Sequence, residues 1–195
     1  EACQAKMHGW SNMSKEDRDQ FFLDRQNILV PELMKSLSAG QQCRIPNPIQ
    51  TFQQAFHDYP DLMRGFHRQG FTEPTPIQCM AWPILMAGLD FIGIAQTGTG
   101  KTLAFLLPGF VHLEGQTKPR NQRRGPTVLI LSPTRELATQ IQTECERFSY
   151  HGIRCVCVYG GADRRTQLKK LEEGCDVVVA TPGRLNDLLD SGKIS

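Results

Sequence analysis

Residues Phe91 to Thr102 read FIGIAQTGTGKT. FIGIA (Phe91 to Ala95) is a compact apolar run, which predicts a buried strand. TLAFLLPGF, from Thr102, predicts a helix. Between them Gly98 and Gly100 let backbone N–H groups turn inward around an anion, where a side chain would obstruct. Lys101 can reach the β- and γ-phosphates of a nucleotide, and the Thr102 hydroxyl can ligate Mg²⁺. The general phosphate-loop pattern begins with glycine, and Ala95 stands there, a departure of one methyl group. A phosphate held at this point lies at a helix N-terminus, whose partial positive charge adds to the attraction. A glycine-rich turn that merely precedes a lysine is the bland alternative, and strand–loop–helix order argues against it. The expected ligand is a nucleoside polyphosphate with Mg²⁺, held by Ala95, Gln96, Thr97, Gly98, Thr99, Gly100, Lys101 and Thr102, with Lys101 and Thr102 serving the chemistry.

Three more short β-branched runs follow: TVLIL (Thr127 to Leu131), IRCVCVY (Ile153 to Tyr159) and DVVVA (Asp176 to Ala180). Each precedes an amphipathic stretch, respectively RELATQIQTECERF, RRTQLKKLEE and RLNDLLD. This alternation predicts an α/β fold, a parallel sheet covered by helices on both faces. In such sheets ligands bind beyond the carboxyl ends of the strands, where the candidate loops fall. Residues 1–48 read differently, as an N-terminal extension. Ser14 is a candidate helix start for KEDRDQFFLDR, and Pro31, Gly40, Pro46 and Pro48 then break regular structure. The α/β domain is expected over residues 49–195.

Composition excludes several classes. The 195 residues are 39% hydrophobic, enough for a core. No run approaches the ~18 apolar residues of a membrane span, and the polar start carries no leader pattern. Seven cysteines are scattered without a Cys-x-x-Cys pair, so neither a zinc site nor a disulfide framework is expected, and a reducing, intracellular setting fits. The five histidines show no ligand spacing, and Cys155 and Cys157 read as packed thiols on one side of a strand. A net charge of +2 does not by itself argue for nucleic acid. Two basic clusters, KPRNQRR (Lys118 to Arg124) and RRTQLKK (Arg164 to Lys170), read singly as a solvated loop and a solvated helix face.

Upstream of the glycine loop lies GFTEPTPIQ, Gly70 to Gln78. Thr75 suits an N-cap, Pro76 the first helical position, and Gln78 can close a capping box on the Thr75 N–H. Gln78 can also read adenine, because a carboxamide donates and accepts in one plane and so matches N7 and N6–H₂, whereas guanine offers two acceptors. Phe52 and Phe71 each provide an aromatic face for a base. Local spacing does not choose between cap and readout, and the two can coexist.

GFTEPTPIQ, AQTGTGKT, SPTRELA (Ser132 to Ala138), GG (Gly160, Gly161) and TPGR (Thr181 to Arg184) occur in the order and rough spacing of the DEAD-box ATP-dependent RNA helicases, and the chain resembles that family over about residues 49–190. Ala95 is the normal residue at its position in that family. SYHGIRCVCVYGG and TPGRLNDL resemble the HAGE-like branch, whose members carry a KH domain upstream. The resemblance implies a RecA-like P-loop domain binding ATP or ADP with Mg²⁺, with Gln78 on the adenine and Phe52 stacked upon it. It also implies single-stranded or short-duplex RNA as partner, and a second RecA-like domain in the parent chain. The expected state is a monomer, in nucleus or cytoplasm.

For RNA, Pro133-Thr134 and Thr181-Pro182-Gly183 each read as a helix start after a strand, with Arg135 and Arg184 adding charge and Gly160-Gly161 allowing close approach. Such points grip phosphates and sugars without reading bases, although each alone is also an ordinary cap, turn or solvated arginine. In the family the Mg²⁺-orienting acids are Asp-Glu-Ala-Asp on the next strand, and the sequence is expected to be a piece truncated before it, binding nucleotide but hydrolysing ATP negligibly. Two other functions compete: a phosphate-loop ATPase of another class, such as a DNA helicase or motor, and a truncated, non-catalytic module that binds RNA or a protein.

Overall fold

The computed structural model describes residues 46–123, 125–148 and 150–192, so the helix expected after Ser14 lies outside the described residues. The chain divides into two compact units, one ending at Pro108 and the other beginning at Gly109.

The first unit holds α1 (Phe52–Phe56), α2 (Pro60–Gln69), α3 (Pro76–Met86) and the first turns of α4 (Lys101–Glu114). Thr51 caps α1 by accepting the Gln54 N–H at 3.3 Å, while Gln54 Oε1 accepts the Thr51 N–H at 3.1 Å. Pro83 lies inside α3. A proline has no N–H, which frees the carbonyl four residues earlier. That carbonyl, of Cys79, accepts the Ile49 N–H at 3.0 Å, pinning the segment ahead of α1 onto α3. The core is aromatic. Phe52 stacks on Phe66 at 3.9 Å between ring centres, and Phe56 meets Trp82 edge-on at 4.8 Å. The buried Trp82 donates Nε1–H to the Leu103 carbonyl at 3.1 Å, joining α3 to the start of α4.

The strand expected over Phe91–Ala95 does not form, and Ile92 and Ile94 are 93% and 96% exposed. An apolar run becomes a strand only by sharing its backbone ladder with a neighbour, and no described strand pairs with this one. Phe91 and Ala95 pack instead against a small cluster of Ile77, Ala81 and Ala104.

The second unit carries a three-stranded parallel sheet of β1 (Val128–Leu131), β2 (Cys155–Val158) and β3 (Val177–Ala180), in the order β1-β3-β2. Val177 is in register with both Val128 and Cys155. Central β3 is buried along its length, as its run of Val and Ala requires. Helices α5 (Arg135–Phe148), α6 (Arg164–Glu172) and α7 (Pro182–Asp190) follow the three strands in turn. Leu168 and Leu171 of α6 and Leu185 of α7 pack on Val156, Val158, Val178 and Ala180, while α5 lies against β2 and β3. On β1, Leu129 and Leu131 are exposed. Cys157 is a packed thiol pushed up to about 11 by burial, and Cys155 is raised by its hydrogen bond with Cys145 and by burial, so both are protonated at neutral pH.

Candidate functional site

In the first unit the glycine loop runs into α4 as expected. Gly98 and Gly100 adopt φ of +79° and +82°, the left-handed region that glycine enters without strain. At Gly100 a second constraint applies, since a Cβ there meets Gln78 Nε2 at 2.5 Å and Thr75 Oγ1 at 3.0 Å. Lys101 Nζ donates to the Ala95 carbonyl and, at 2.8 Å, to the Gln96 carbonyl, and Thr99 Oγ1 donates to that same Gln96 oxygen at 2.8 Å. The loop is thus wrapped around its own ammonium. These residues fit a polyphosphate: the turns need glycine, the cation is already at the loop, and its partners are neutral carbonyls that anionic oxygens can outcompete. Thr102 sits half-buried in the first turn of α4.

Gln78 is 4% exposed and both ends of its carboxamide are engaged. Oε1 accepts the Thr75 N–H at 3.0 Å, the capping bond foreseen from sequence. Nε2 donates to the Gly100 carbonyl at 3.1 Å, a link across 22 residues that sequence spacing does not announce. The buried Thr75 hydroxyl has no partner among the described residues. Phe52 is buried inside the aromatic cluster, 8% exposed with one ring face against Phe66, whereas Phe71 is exposed.

In the second unit the loops after β1, β2 and β3 are knit to one another. The Ser132 N–H donates to the Ala180 carbonyl and the Thr181 N–H to that of Val158, both at 2.9 Å. Thr134 Oγ1 caps α5 at the Leu137 N–H, 3.2 Å, and exposed Pro133 precedes it. The Arg135 guanidinium lies 4.8 Å from the centre of the Tyr159 ring, a cation–π contact. Arg184, only 13% exposed, turns inward and donates to the Ala162 carbonyl at 3.2 Å and to Gln167 Oε1 at 3.0 Å. At Pro182 the chain enters α7 from Thr181, whose side chain makes no capping bond. A Cβ at Gly160, Gly161 or Gly183 meets nothing within 4 Å, so the ground in front of these residues is open.

Gln167, Tyr159 and Asp187 are the residues the sequence reading missed. Gln167, read as part of a solvated helix face, is buried and donates Nε2–H to the Tyr159 carbonyl at 3.1 Å. Asp187 accepts from Arg164 at 3.0 Å, joining α6 to α7. Asp163 caps α6, and hydrogen bonds from the Thr166 side chain and backbone hold its carboxyl below the usual range.

The family model for DEAD/DEAH box helicases matches residues 75–195. The chain is 50% identical over 178 residues to the human probable ATP-dependent RNA helicase DDX43, covering 91% of this chain and 27% of that protein. It is 52% identical over 161 residues to DEAD-box ATP-dependent RNA helicase 14 of Arabidopsis thaliana, covering 82% of this chain and 25% of that protein. The chain therefore spans about a quarter of the length of these relatives. Among solved structures, the yeast DEAD-box splicing factor Prp28 superposes with a TM-score of 0.80 at 30% identity over 94% of this chain and 41% of that one. Prp28 from Chaetomium thermophilum, bound to ADP, gives 0.75 at 32% identity over 97% and 43%. The parallel sheet with its helices is the RecA-like fold of those proteins. Motif order, fold and a family match over more than half its length agree: the chain belongs to the DEAD/DEAH box helicases.

Proposed function

We propose that the chain is the part of an ATP-dependent RNA helicase that binds the nucleotide and grips the RNA backbone, acting inside the cell and as a monomer. The observation that carries this is Gln78, whose carboxamide ties the GFTEPTPIQ helix start to Gly100 of the phosphate loop. A carboxamide has a second Nε2 hydrogen and a second Oε1 lone pair, and this reading assigns them to adenine N7 and N6–H₂. ATP or ADP is then held by its base at Gln78 and Phe52 and by its phosphates at Gln96 to Lys101, with Mg²⁺ at Thr102. Bound Mg²⁺ supplies charge stabilisation at the phosphates; the chain's own residues bind and orient. RNA backbone is gripped at Thr134, Gly160-Gly161 and Thr181-Pro182, and a second RecA-like domain of the parent closes upon it, parting short duplexes locally. The 195 residues contain no Asp-Glu-Ala-Asp segment, so the isolated polypeptide binds nucleotide with little turnover.

Calorimetric titration tests the assignment. ADP should bind in preference to GDP, and Lys101→Ala should weaken ADP tenfold or more with the circular dichroism spectrum unchanged. Equal affinity for GDP removes the adenine assignment, and unchanged ADP affinity in the lysine variant removes the phosphate loop.

A further inference from the structure

The KPRNQRR segment is the strongest motif that the proposed function does not use. It places four cations and no acid in seven residues. Arg120 and Arg123 converge with Arg154 on one open pocket of about 460 Å³, completed by Glu173 and Gly174. That volume lies in the range of small-ligand pockets, ~300–1,000 Å³. The pocket is at the amino ends of the strands: Thr127 precedes β1, Arg154 precedes β2 and Asp176 precedes β3. The loops of the proposed RNA grip lie at the carboxyl ends, one strand of four residues away, roughly 13 Å at ~3.3 Å per residue.

The arginines are held in place by fixed oxygens. Arg120 donates to the Gly152 carbonyl at 3.1 Å and to Asp176 at 2.8 Å. Arg154 donates to the Glu173 carbonyl at 2.6 Å and to its carboxylate at 3.3 Å. Arg123 donates to the Lys118 carbonyl at 2.8 Å and to Thr127 Oγ1 at 3.4 Å. Asp176 is buried and also accepts the Arg154 N–H at 2.9 Å. Two carboxylates therefore face three guanidiniums. Asp176 is matched by Arg120 and Glu173 by Arg154, while Arg123 comes no nearer than 3.9 Å to Asp176. Three guanidiniums against two carboxylates leave one net positive charge, and Arg123, 18% exposed, brings it into a concave, partly desolvated place. A guanidinium carries five N–H donors in a rigid fork, and each of these three spends only part of that number on the protein. Pinned forks with donors to spare suit a tetrahedral oxoanion.

We propose that Arg120, Arg123 and Arg154 form a second phosphate-binding site, which takes backbone phosphates of an RNA segment outside the stretch held by the loops at the carboxyl ends of the strands. The choice of RNA rests on the proposed function; the phosphate chemistry does not. Charge favours phosphate over an acidic peptide, because Glu173 already offers the pocket a carboxylate and its pair with Arg154 is half exposed, open to displacement by a doubly forked ligand.

The test uses the 195-residue chain and two probes, inorganic phosphate and a single-stranded RNA long enough to pass both edges of the sheet. Amide and arginine Nε–H NMR signals are followed, with RNA affinity measured across salt concentrations. Phosphate should move the Gly152, Gly174 and Arg123 signals at millimolar concentration. RNA should move the same signals, and Arg123→Gln should weaken RNA several-fold and reduce the salt slope by about one. Arg123→Lys, which keeps the charge and loses the fork, should fall between wild type and Arg123→Gln and shows whether the pocket still folds. Arg135→Gln reports separately on the loop grip: if it weakens RNA while Arg123→Gln does not, the pocket fails and the helicase reading stands. Signals moved by phosphate but not by RNA keep the phosphate site and assign it to a free phosphate. Signals unmoved by both probes, or moved more strongly by poly-glutamate than by either, overturn the proposal.

Discussion

Replacing Gln78 by alanine removes two hydrogen bonds, from Thr75 N–H at 3.0 Å and to the Gly100 carbonyl at 3.1 Å, at a side chain that is 4% exposed. Each is worth about 1 kcal/mol net, and the orphaned groups add part of their desolvation cost, giving a loss of about 2–3 kcal/mol. At a urea slope of about 2 kcal/mol/M this lowers the unfolding midpoint by roughly 1 M. Gln78→Glu separates the two bonds. Its carboxylate still accepts from Thr75 at the start of α3, a position that favours negative charge, but it presents an oxygen to the Gly100 carbonyl where Nε2–H stood. The glutamate variant also buries a carboxylate against the Gly100 carbonyl at a 4% exposed position, so it should cost at least as much stability as the alanine variant and lose the tie to the phosphate loop. Trp82 fluorescence, in a Trp10→Phe background, reports urea unfolding of this unit, and ADP titration reports the loop. Both variants should weaken ADP, and both should lower the midpoint by roughly 1 M or more. A wild-type midpoint for Gln78→Ala refutes the assignment of both bonds, and unchanged ADP affinity in Gln78→Glu refutes the coupling of helix start to loop.

Two further outcomes are expected. Trp82→Phe leaves the Leu103 carbonyl without its indole donor and opens space in the aromatic cluster, so it should cost about 2–3 kcal/mol by urea titration, with α3 and the start of α4 losing amide protection together. Asp163 has a lowered pKa because Thr166 donates to it, so its contribution is present above the unfolded-state value and is lost as pH falls through the lowered native one. The stability gap between wild type and Asp163→Ala should be full at neutral pH and shrink in strong acid, while Asp163→Asn, which keeps an acceptor at the cap, should show a smaller gap that depends less on pH.

Local pattern sufficed wherever one segment carries its own signal. RELATQIQTECERF has apolar residues at helical spacing and forms α5 over those residues; VVVA is short, β-branched and buried, and forms β3. FIGIA carries the same kind of signal, but strand formation depends on a partner elsewhere, and pattern within the run does not reveal whether one is beside it. Gln78 was legible by half: the Thr75 bond lies within one turn, whereas the Gly100 bond joins segments 22 residues apart. Gln167 was hidden because a glutamine among lysines and arginines looks solvated, and only the path of the Tyr159 carbonyl gives it a buried partner. Arg184 was read as an external charge from its place in a helix's first turn, yet the Ala162 carbonyl and Gln167 draw it inward.

That inward turn bears on the RNA grip of the proposed function. Arg184 holds the segment after Gly160-Gly161 to the start of α7, and Arg135 is committed to the Tyr159 ring. Releasing either guanidinium to a phosphate would loosen the loops it positions. On the proposed function, the grip at the carboxyl ends of the strands would then fall to groups that carry no full charge: the amides opening α5 and α7, aided by the helix dipoles, and the hydroxyls of Thr134 and Thr181. A strand of nucleic acid held in that way releases few counterions, so its affinity should depend weakly on salt, in keeping with a net charge of +2. The arginine pocket at the amino ends is different in kind, with three guanidiniums against two carboxylates. Salt dependence therefore separates the two edges of one sheet: a shallow slope belongs to helix starts alone, and a steeper slope that falls when Arg123 is removed belongs to the pocket.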